Sequence, residues 1–282
     1  RTFLVGTNDV LNKRRLYEIQ DLNDDEKVFF ELVMASFRLN DANKNEMRNH
    51  IDAYLTPYAN KEFVDALKKR AGESANEEMQ REYQKIDLLI KEQIANTEED
   101  FYSDYESDGI RYINDIISGD TDFYYAECAQ DNEAVAGDKR QDYIERDEFI
   151  SFICIQYFRT IGMRNILKNN IAGMIDMTRG HDEYKFDRDH IRPESILPHM
   201  VWIMQAACSA ALSRRNAKLQ VIRNDTSLPF VTGDQPVINI KAEAIDKEPE
   251  EFVLYYPLSP HVAIMVNGSD KRKERIIEKK SE

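Results

Sequence analysis

The sequence predicts an α+β fold that is mainly α: a helical bundle with two buried central helices, followed by a small C-terminal antiparallel sheet. Three observations predict it. Apolar residues recur with a helical period up to residue 218, two segments are apolar on nearly every side, and the period changes to two after residue 218. The 282 residues allow a sizeable core, so we expect a single domain over residues 1–282, with residues 1–218 mostly helical.

Residues 22–95 are predicted to form an added helical region. The segment DLNDDEKVFFELVMASFRLN opens with Asp and Asn, which favour helix N-termini, and Phe29, Val33 and Phe37 then recur at every fourth position. Two short helices are expected on either side of Pro57, because proline interrupts helices. The segment NEEMQREYQKIDLLIKEQI is predicted to be a longer amphipathic helix.

An acidic segment follows. From Glu98 to Asp108 the chain has six acidic residues and no basic one, interleaved with aromatic residues. Two interpretations are open: a metal site, or a solvated helix face whose aromatic residues pack inward. We favour the solvated face because charge runs usually face solvent. Residues 130–141 are interpreted as a surface loop.

Two later segments differ from the other helices. DEFISFICIQYFRTIGMRNIL (147–167) and SILPHMVWIMQAACSAALSRR (195–215) are apolar nearly all round. A helix that is apolar on every side is buried on every side, so these two are expected to form the centre of the protein. The residues 169–194 between them are polar, and RGHDEYKFDRDHIRP (179–193) is expected to be a disordered or lid-like segment.

After residue 218 the pattern is typical of strands. KLQVIR, PFVT, PVINI, EFVLYY and HVAIMV are predicted strands of an antiparallel sheet over residues 219–270. The turn signals NDTS, GDQP, PLSP and NGSD stand between most of them. Residues 271–282 are predicted to begin a basic helix.

Composition constrains the class of protein. The chain has 38 Lys and Arg against 52 Asp and Glu, and its net charge of −14 disfavours broad, non-specific binding to nucleic acid. Its three widely spaced cysteines are predicted to be free thiols in a reducing compartment, and no apolar run approaches the length of a membrane span. We therefore expect an acidic, cytoplasmic protein. No zinc-site or Gly-rich phosphate-loop motif occurs in the sequence.

Polar residues interrupt the first central helix. At about 100° per residue, Gln156 shares a face with Arg164, and Arg159 lies roughly 60° from Gln156. A buried amide or guanidinium without partners is costly, so something must satisfy these groups. One interpretation is structural, with Arg159 paired to a carboxylate such as Glu106 or Asp234, and it is favoured because most buried polar groups are structural. The other is a pocket for an anionic or phosphate-bearing ligand.

The segment PFVTGDQPVINI raises a similar question at Asp234. Gly233 is expected to supply a positive φ, Asp234 to accept a hydrogen bond from the backbone two residues on, and Pro236 to begin the next strand. A turn therefore explains these residue types without any ligand. The turn does not explain why the Asp234 carboxylate should face another side chain or a ligand.

Three segments together resemble one family: FISFICIQYFRTIGMR, LPFVTGDQPVINI and YYPLSPHVAIMV. It is the bacterial and fungal family known only as domain of unknown function 4238, whose members carry a Gln-x-x-Arg-Thr helix, a Thr-Ser-Asp-Asn-Pro turn and a Pro-Leu-Ser-Pro strand. The matching positions are Gln156, Arg159 and Thr160, then residues 232–236, then residues 257–260. YESDGIRYINDIISGD is similar to the family's acidic helix, which makes Glu106 the counterpart of its Glu.

The chain departs from the family pattern in two ways. Gly233 and Gln235 stand where the family turn has Ser and Asn, which keeps the acid and the proline. The family's usual N-terminal His-Tyr-Val-Pro-like strand is not found. We expect either that this chain, which begins with Arg1, is a fragment or that this branch of the family lacks the strand.

The resemblance implies a fold and a residue cluster rather than a reaction. Our first hypothesis is a metal-dependent, nuclease-like phosphodiesterase, acting in bacterial stress or phage defence on nucleic acid or a phosphate-bearing small molecule. The expected catalytic residues are Asp234, Glu106 and Gln156, with the two carboxylates holding Mg²⁺ or Mn²⁺ or acting as base; Arg159, Arg164 and Gln235 are expected to bind the phosphate. The alternative is a non-catalytic protein-interaction or ligand-sensing module whose polar cluster is structural. The sequence does not specify the oligomeric state.

Overall fold

The computed structural model describes residues 19–36, 41–72, 76–125, 137–179, 181, 184–214, 217–242 and 252–268. Within these ranges six α-helices precede a four-stranded antiparallel sheet, which confirms the predicted mainly helical α+β fold. The chain divides into two compact units: residues 1–102 with 165–200, and residues 103–164 with 201–282. The prediction of a single domain stays a prediction.

The helices are α1 (Asp24–Ser36), α2 (Asp41–Ala71), α3 (Glu77–Ser118), α4 (Gly137–Phe158), α5 (Ile161–Met177) and α6 (Pro193–Arg214). Two short 3-10 turns, Phe123–Tyr125 and Arg188–His190, precede α4 and α6.

Helix α2 passes through Pro57, where the sequence predicts a break between two helices. The proline removes one backbone donor at a cost of about 3 kcal/mol. On either side of it, however, Tyr54 and Val64 pack into one apolar cluster with Ile90 and Ile94 of α3. Each such buried side chain stabilises by about 1.5–3 kcal/mol, so tertiary packing outweighs the local penalty.

Helix α3 continues from the predicted amphipathic segment straight through the acidic one and reaches 42 residues. Most of the acidic residues are exposed or half-buried on its surface, as expected for a solvated face. Glu98 is the exception, because it is 2% exposed and accepts a hydrogen bond from the Tyr102 hydroxyl at 2.7 Å. A partner one turn along the same helix makes this burial possible.

The two apolar segments differ in their burial. Residues 152–158 of α4 are buried, as predicted, whereas residues 206–210 of α6 are only half-buried. Burial on every side is therefore wrong for the C-terminal half of α6. Ala, Ser and Cys predominate there, and such small side chains expose little apolar area. Cys154 and Cys208 are free thiols, and Cys128 lies outside the described residues.

Disorder of residues 179–193 is wrong for residues 179, 181 and 184–193, which the structure describes, whereas a lid-like role stays a prediction. Helix α5 extends to Met177, and the following turn is tied back to the first unit. Phe186 is buried and packs edge-on against Phe29, with 5.7 Å between the ring centroids. The Arg188 guanidinium donates a hydrogen bond to the Thr178 hydroxyl at 3.0 Å. Most residues of this segment are polar, but its one buried aromatic residue, Phe186, anchors it.

The sheet consists of β1 (Lys218–Arg223), β2 (Ile238–Asn239), β3 (Val253–Pro257) and β4 (Val262–Asn267) in the order β1-β4-β3-β2. All neighbours are antiparallel, with Val221 opposite Ile264 and Leu254 opposite Val266. The predicted strand PFVT is not a strand, and its Val231 is 81% exposed. An alternating pattern alone does not provide a pairing partner.

Other predictions fall outside the described residues. They concern the basic helix of residues 271–282 and most of the loop of residues 130–141; α4 itself begins at Gly137. Among the described residues, one segment, Pro193–Ser213, has the length and hydropathy of a membrane-spanning helix, and half of its apolar window is buried inside the structure. The core helix of a soluble protein meets the same criteria, so this is weak evidence for a span.

Candidate functional site

The residues singled out by the sequence motifs belong to the second unit. Glu106 lies on α3, Gln156 on the last turn of α4, and Arg159 at the junction of α4 with α5. Gln235 lies in the loop between β1 and β2. The structure thus takes these residues from three separate stretches of the chain, and their contacts decide which of them form one site.

Arg159 forms an ion pair with Glu106. The guanidinium side chain is 29% exposed and the carboxylate side chain is 41% exposed. Of the two partners that the sequence left open for Arg159, the structure selects Glu106 and shows no ion pair with Asp234 among the described residues. An ion pair that is this accessible to solvent contributes at most about 1 kcal/mol to stability.

Tyr256 of β3 stands beside this ion pair. Burial raises the pKa of its phenol to about 12, with the nearby Glu106 adding to the rise and Arg159 opposing it. The phenol is therefore neutral at physiological pH and offers an O–H donor. Sequence reasoning missed this residue. Its only signal is its position directly before Pro257 of the Pro-Leu-Ser-Pro motif, and Tyr255 next to it has the same side chain.

The chain breaks its helix between Gln156 and Gly162, where a single helix over 147–167 is predicted. Helix α4 ends at Phe158 and α5 begins at Ile161. Thr160 ends one helix and caps the next, because its hydroxyl accepts a hydrogen bond from the Met163 N–H at 3.3 Å. Threonine favours this position, since its side chain replaces a missing backbone acceptor. The break turns a buried helix into a junction with a new helix N-terminus.

Gln156 is 5% exposed, and no hydrogen bond engages its side chain within the part of the chain that the structure describes. Its amide atoms are not among the unpartnered side-chain atoms that are sealed from solvent. A ligand or a water molecule can therefore reach them. Arg164, expected to bind the same ligand, is 4% exposed and has contacts of its own, and its role as a phosphate ligand stays a prediction.

The loop carrying Asp234 and Gln235 meets the start of α5. A Cβ atom added to Gly162 would lie 3.4 Å from the Gln235 side-chain oxygen, so the Gln235 amide packs against the first turn of that helix. Asp234 itself is exposed. No hydrogen bond or ion pair engages its carboxylate within residues 217–242 or the other described ranges.

The turn explanation of Asp234 is wrong. The expected hydrogen bond needs an N–H two residues on, and position 236 is a proline. The expected positive φ is also missing, since the described glycines with positive φ are Gly72 and Gly119 and do not include Gly233. By contrast, Ser259 of the Pro-Leu-Ser-Pro motif does make a turn: its hydroxyl accepts from the His261 and Val262 N–H groups. Asp234 thus has no structural role among the contacts seen.

The residues present do not fit the expected metal site. Glu106 is engaged by Arg159, and the described part of the chain contains no group of three or more His, Cys, Asp or Glu side chains placed to hold a metal ion. The assignment of Asp234 and Glu106 to Mg²⁺ or Mn²⁺ stays a prediction, and we derive no step through a metal.

A second acidic feature lies on the same helix as Glu106. A pocket of about 230 Å³ is lined by Asp104, Asp108 and Glu148 together with two tyrosines. The buried hydroxyl of Tyr112 donates to Glu148 at 2.5 Å, and burial is the largest cause of the raised pKa of Tyr112. These contacts hold α3 against α4.

The family described as "Protein of unknown function (DUF4238)" matches residues 1–282 of this chain. No curated protein matches the chain, and no solved structure does. The contacts at the α4–α5 junction are therefore the main guide to what the protein does.

Proposed function

The chain belongs to this family of unknown function, and on that premise we propose that its second unit binds a phosphate-bearing ligand at the junction of α4 and α5. One observation carries the proposal: Gln156 is only 5% exposed, yet no hydrogen bond engages its amide within the described residues. An unsatisfied buried polar group costs about 1–3 kcal/mol, and a ligand that bonds to it relieves that cost.

The groups around the junction are mainly hydrogen-bond donors. Arg159 provides a guanidinium and Tyr256 a neutral phenol. In the first turn of α5, Thr160 accepts from the N–H groups of Met163 and Arg164, while those of Ile161 and Gly162 have no acceptor among the described residues. A helix N-terminus also carries a partial positive charge that favours anions. Phosphate oxygens accept hydrogen bonds and carry negative charge, so a phosphate group matches this set and a cation does not.

Glu106 competes with the ligand and is weak enough to be displaced. Its ion pair with Arg159 is partly exposed, which limits its contribution to about 1 kcal/mol or less. A bidentate hydrogen bond from a guanidinium to phosphate is charge-assisted and worth about 1.5–3 kcal/mol. We therefore regard Glu106 as the partner that holds Arg159 in place until phosphate arrives.

The test is calorimetric titration with inorganic phosphate and with bis(p-nitrophenyl) phosphate. Arg159→Gln should weaken binding of both at least about tenfold, since it removes a charge-assisted contact. Arg111→Gln is the matched control: Arg111 lies in the same unit, has a side chain that is 49% exposed and pairs with Glu145 at 3.6 Å. Equal losses in both variants, or no binding by the wild type, would overturn the proposal.

Hydrolysis of the bound ester is a second candidate function. The exposed carboxylate of Asp234, which has no partner among the described residues, favours it. In this candidate Asp234 accepts a proton from water, the water oxygen attacks phosphorus, and the P–O bond to the leaving group breaks; from the diester the leaving group departs as the p-nitrophenolate anion. Release of p-nitrophenolate from the diester, with and without added Mg²⁺ or Mn²⁺, measures the rate. We expect turnover by the wild type and none by Asp234→Asn; an equal rate in both proteins would reject this candidate.

A further inference from the structure

Helix α3 exposes two adjacent leucines within the first unit. Leu88 and Leu89 are 60% and 59% exposed, whereas Ile90 and Ile94 of the same helix are buried. A single exposed leucine is ordinary, but two adjacent ones on a charged helix leave a continuous apolar spot in water. Nothing in the described part of the chain covers it.

The residues around this spot form one helix face. At about 100° per residue, Arg81, Lys85 and Glu92 all lie within roughly 60° of Leu88, and Leu89 lies at its edge. All of them are exposed. We call these five residues the α3 outer face. The buried Ile90 and Ile94 lie on the opposite side of the helix, so the outer face points away from the apolar cluster.

The charges of the α3 outer face are arranged to match a second copy of the same face. Its N-terminal half carries Arg81 and Lys85 beside the exposed Glu77, its C-terminal half carries Glu92 beside the exposed Lys91, and the leucines lie midway. If a second α3 packs antiparallel about a two-fold axis between Leu88 and Leu89, Lys85 of each copy lies opposite Glu92 of the other. The leucines then cover each other. We propose that this face is the contact of a homodimer, which is independent of the phosphate site.

The ion pairs within one chain do not prevent Lys85 from pairing with Glu92 of the other copy. Lys85 lies 2.6 Å from Glu82 and Arg81 lies 3.5 Å from Glu77, but these are exposed pairs within one helix and worth little. The like-charge contacts, Glu78 opposite Glu99 and Glu77 opposite Asp100 of the other copy, fall at the rim, where salt screens them. The face is narrow, so we expect a weak dimer with a dissociation constant on the order of micromolar.

A charge exchange tests the arrangement by sedimentation equilibrium of the full chain. Lys85→Glu alone and Glu92→Lys alone each place like charges opposite one another, and each should weaken the dimer about fivefold or more. The double variant Lys85→Glu/Glu92→Lys restores opposite charges and should dimerise like the wild type. An equimolar mixture of the two single variants should form a heterodimer, because both of its contacts are again attractive.

Leu88→Gln tests the apolar part of the same face and should shift the protein towards monomer. Ile166→Gln is the matched control, since Ile166 is an aliphatic residue on α5 that is 43% exposed. A wild type that stays monomeric over the micromolar range would overturn the proposal. So would a double charge variant that dissociates as readily as the single ones, because a parallel pairing or a different contact then holds the copies together.

Discussion

At the scale of single residues, Glu26 shows how one fully enclosed carboxylate holds a unit together. Its side chain is 0% exposed and accepts from the Asn23 N–H at 2.8 Å and from the Arg192 guanidinium at 2.8 and 2.9 Å. The Glu26 N–H in turn donates to the Asn23 side chain at 2.9 Å, which completes a capping box for α1. Burial alone would raise the pKa of Glu26, but these hydrogen bonds outweigh it and the pKa is lowered.

We expect Glu26→Gln to lower the free energy of unfolding by about 2–4 kcal/mol at pH 7, because it removes charge-assisted bonds from a buried site. A lowered folded-state pKa stabilises the protein above the unfolded-state value and loses that effect as pH falls through the folded value. The difference between wild type and variant should therefore be full at neutral pH and shrink on acidification below the ordinary value of 4.5. Urea unfolding at a series of pH values measures it.

Glu31→Gln is the control for that experiment. Glu31 also pairs with an arginine, Arg48, but its side chain is 51% exposed. The variant should cost less than about 1 kcal/mol, because water replaces the lost contact. If the two substitutions cost the same, burial is not what makes Glu26 important.

At the scale of elements, the packing of α3 on α4 depends on a glycine. A Cβ atom at Gly109 would lie 2.4 Å from the ring of Phe152, a separation that side chains do not adopt. The Phe152 ring also packs against the Tyr256 ring, with 6.5 Å between the ring centroids, so Phe152 links α4 to the sheet. Gly109 therefore sets how closely the helix bearing Glu106 approaches the helix bearing Arg159.

Gly109→Ala should destabilise the protein by about 1–3 kcal/mol through overpacking, although alanine favours helices by about 1 kcal/mol. Gly173→Ala in α5 is the matched substitution with open space, since nothing lies within 4 Å of its added Cβ. It should stabilise by about 0.5–1 kcal/mol. Urea unfolding of both variants checks the pair. Two stabilising substitutions would show that α3 and α4 are not in contact at Gly109.

Helices and strands were predicted correctly where the local sequence pattern determines them. They were missed where packing against distant parts of the chain determines them. The change of period after residue 218 identified β1, β3 and β4, because alternation reflects a half-buried strand. Pro57 gave a false break, since the residues that override it come from α3. The break at Thr160 was missed because threonine inside an apolar run looks like one more core residue. Only its hydrogen bond to Met163 reveals the cap.

At the scale of the whole molecule, the site follows from contacts between stretches far apart in the chain. Sequence analysis favoured a carboxylate partner for Arg159 and named Glu106 and Asp234. The sequence pattern around each carboxylate, however, does not give its distance from Arg159. The structure pairs Arg159 with Glu106 and leaves Asp234 exposed. Tyr256 was not predicted at all, because only the arrangement of β3 beside the ion pair gives it a role.

The proposed phosphate site is compatible with the net charge of −14. The overall field repels phosphate, yet the α4–α5 junction collects donors, and Glu106 neutralises Arg159. In the proposed function, a phosphate ligand replaces Glu106 as the partner of Arg159. The central claim is thus that Glu106 competes with the ligand for Arg159. If Glu106 were a metal ligand or a purely structural partner, removing its charge would not raise the affinity for phosphate.

The most direct measurement is the affinity of Glu106→Gln for inorganic phosphate by calorimetric titration. Removing the competitor should lower the dissociation constant about two- to fivefold, the equivalent of a partly exposed ion pair. Asp108→Asn, which removes the same charge from an exposed position on the same helix, should leave it nearly unchanged. If Glu106→Gln binds phosphate no better than the wild type, or loses stability without any gain in affinity, then Glu106 does not compete with phosphate for Arg159 and the account is wrong.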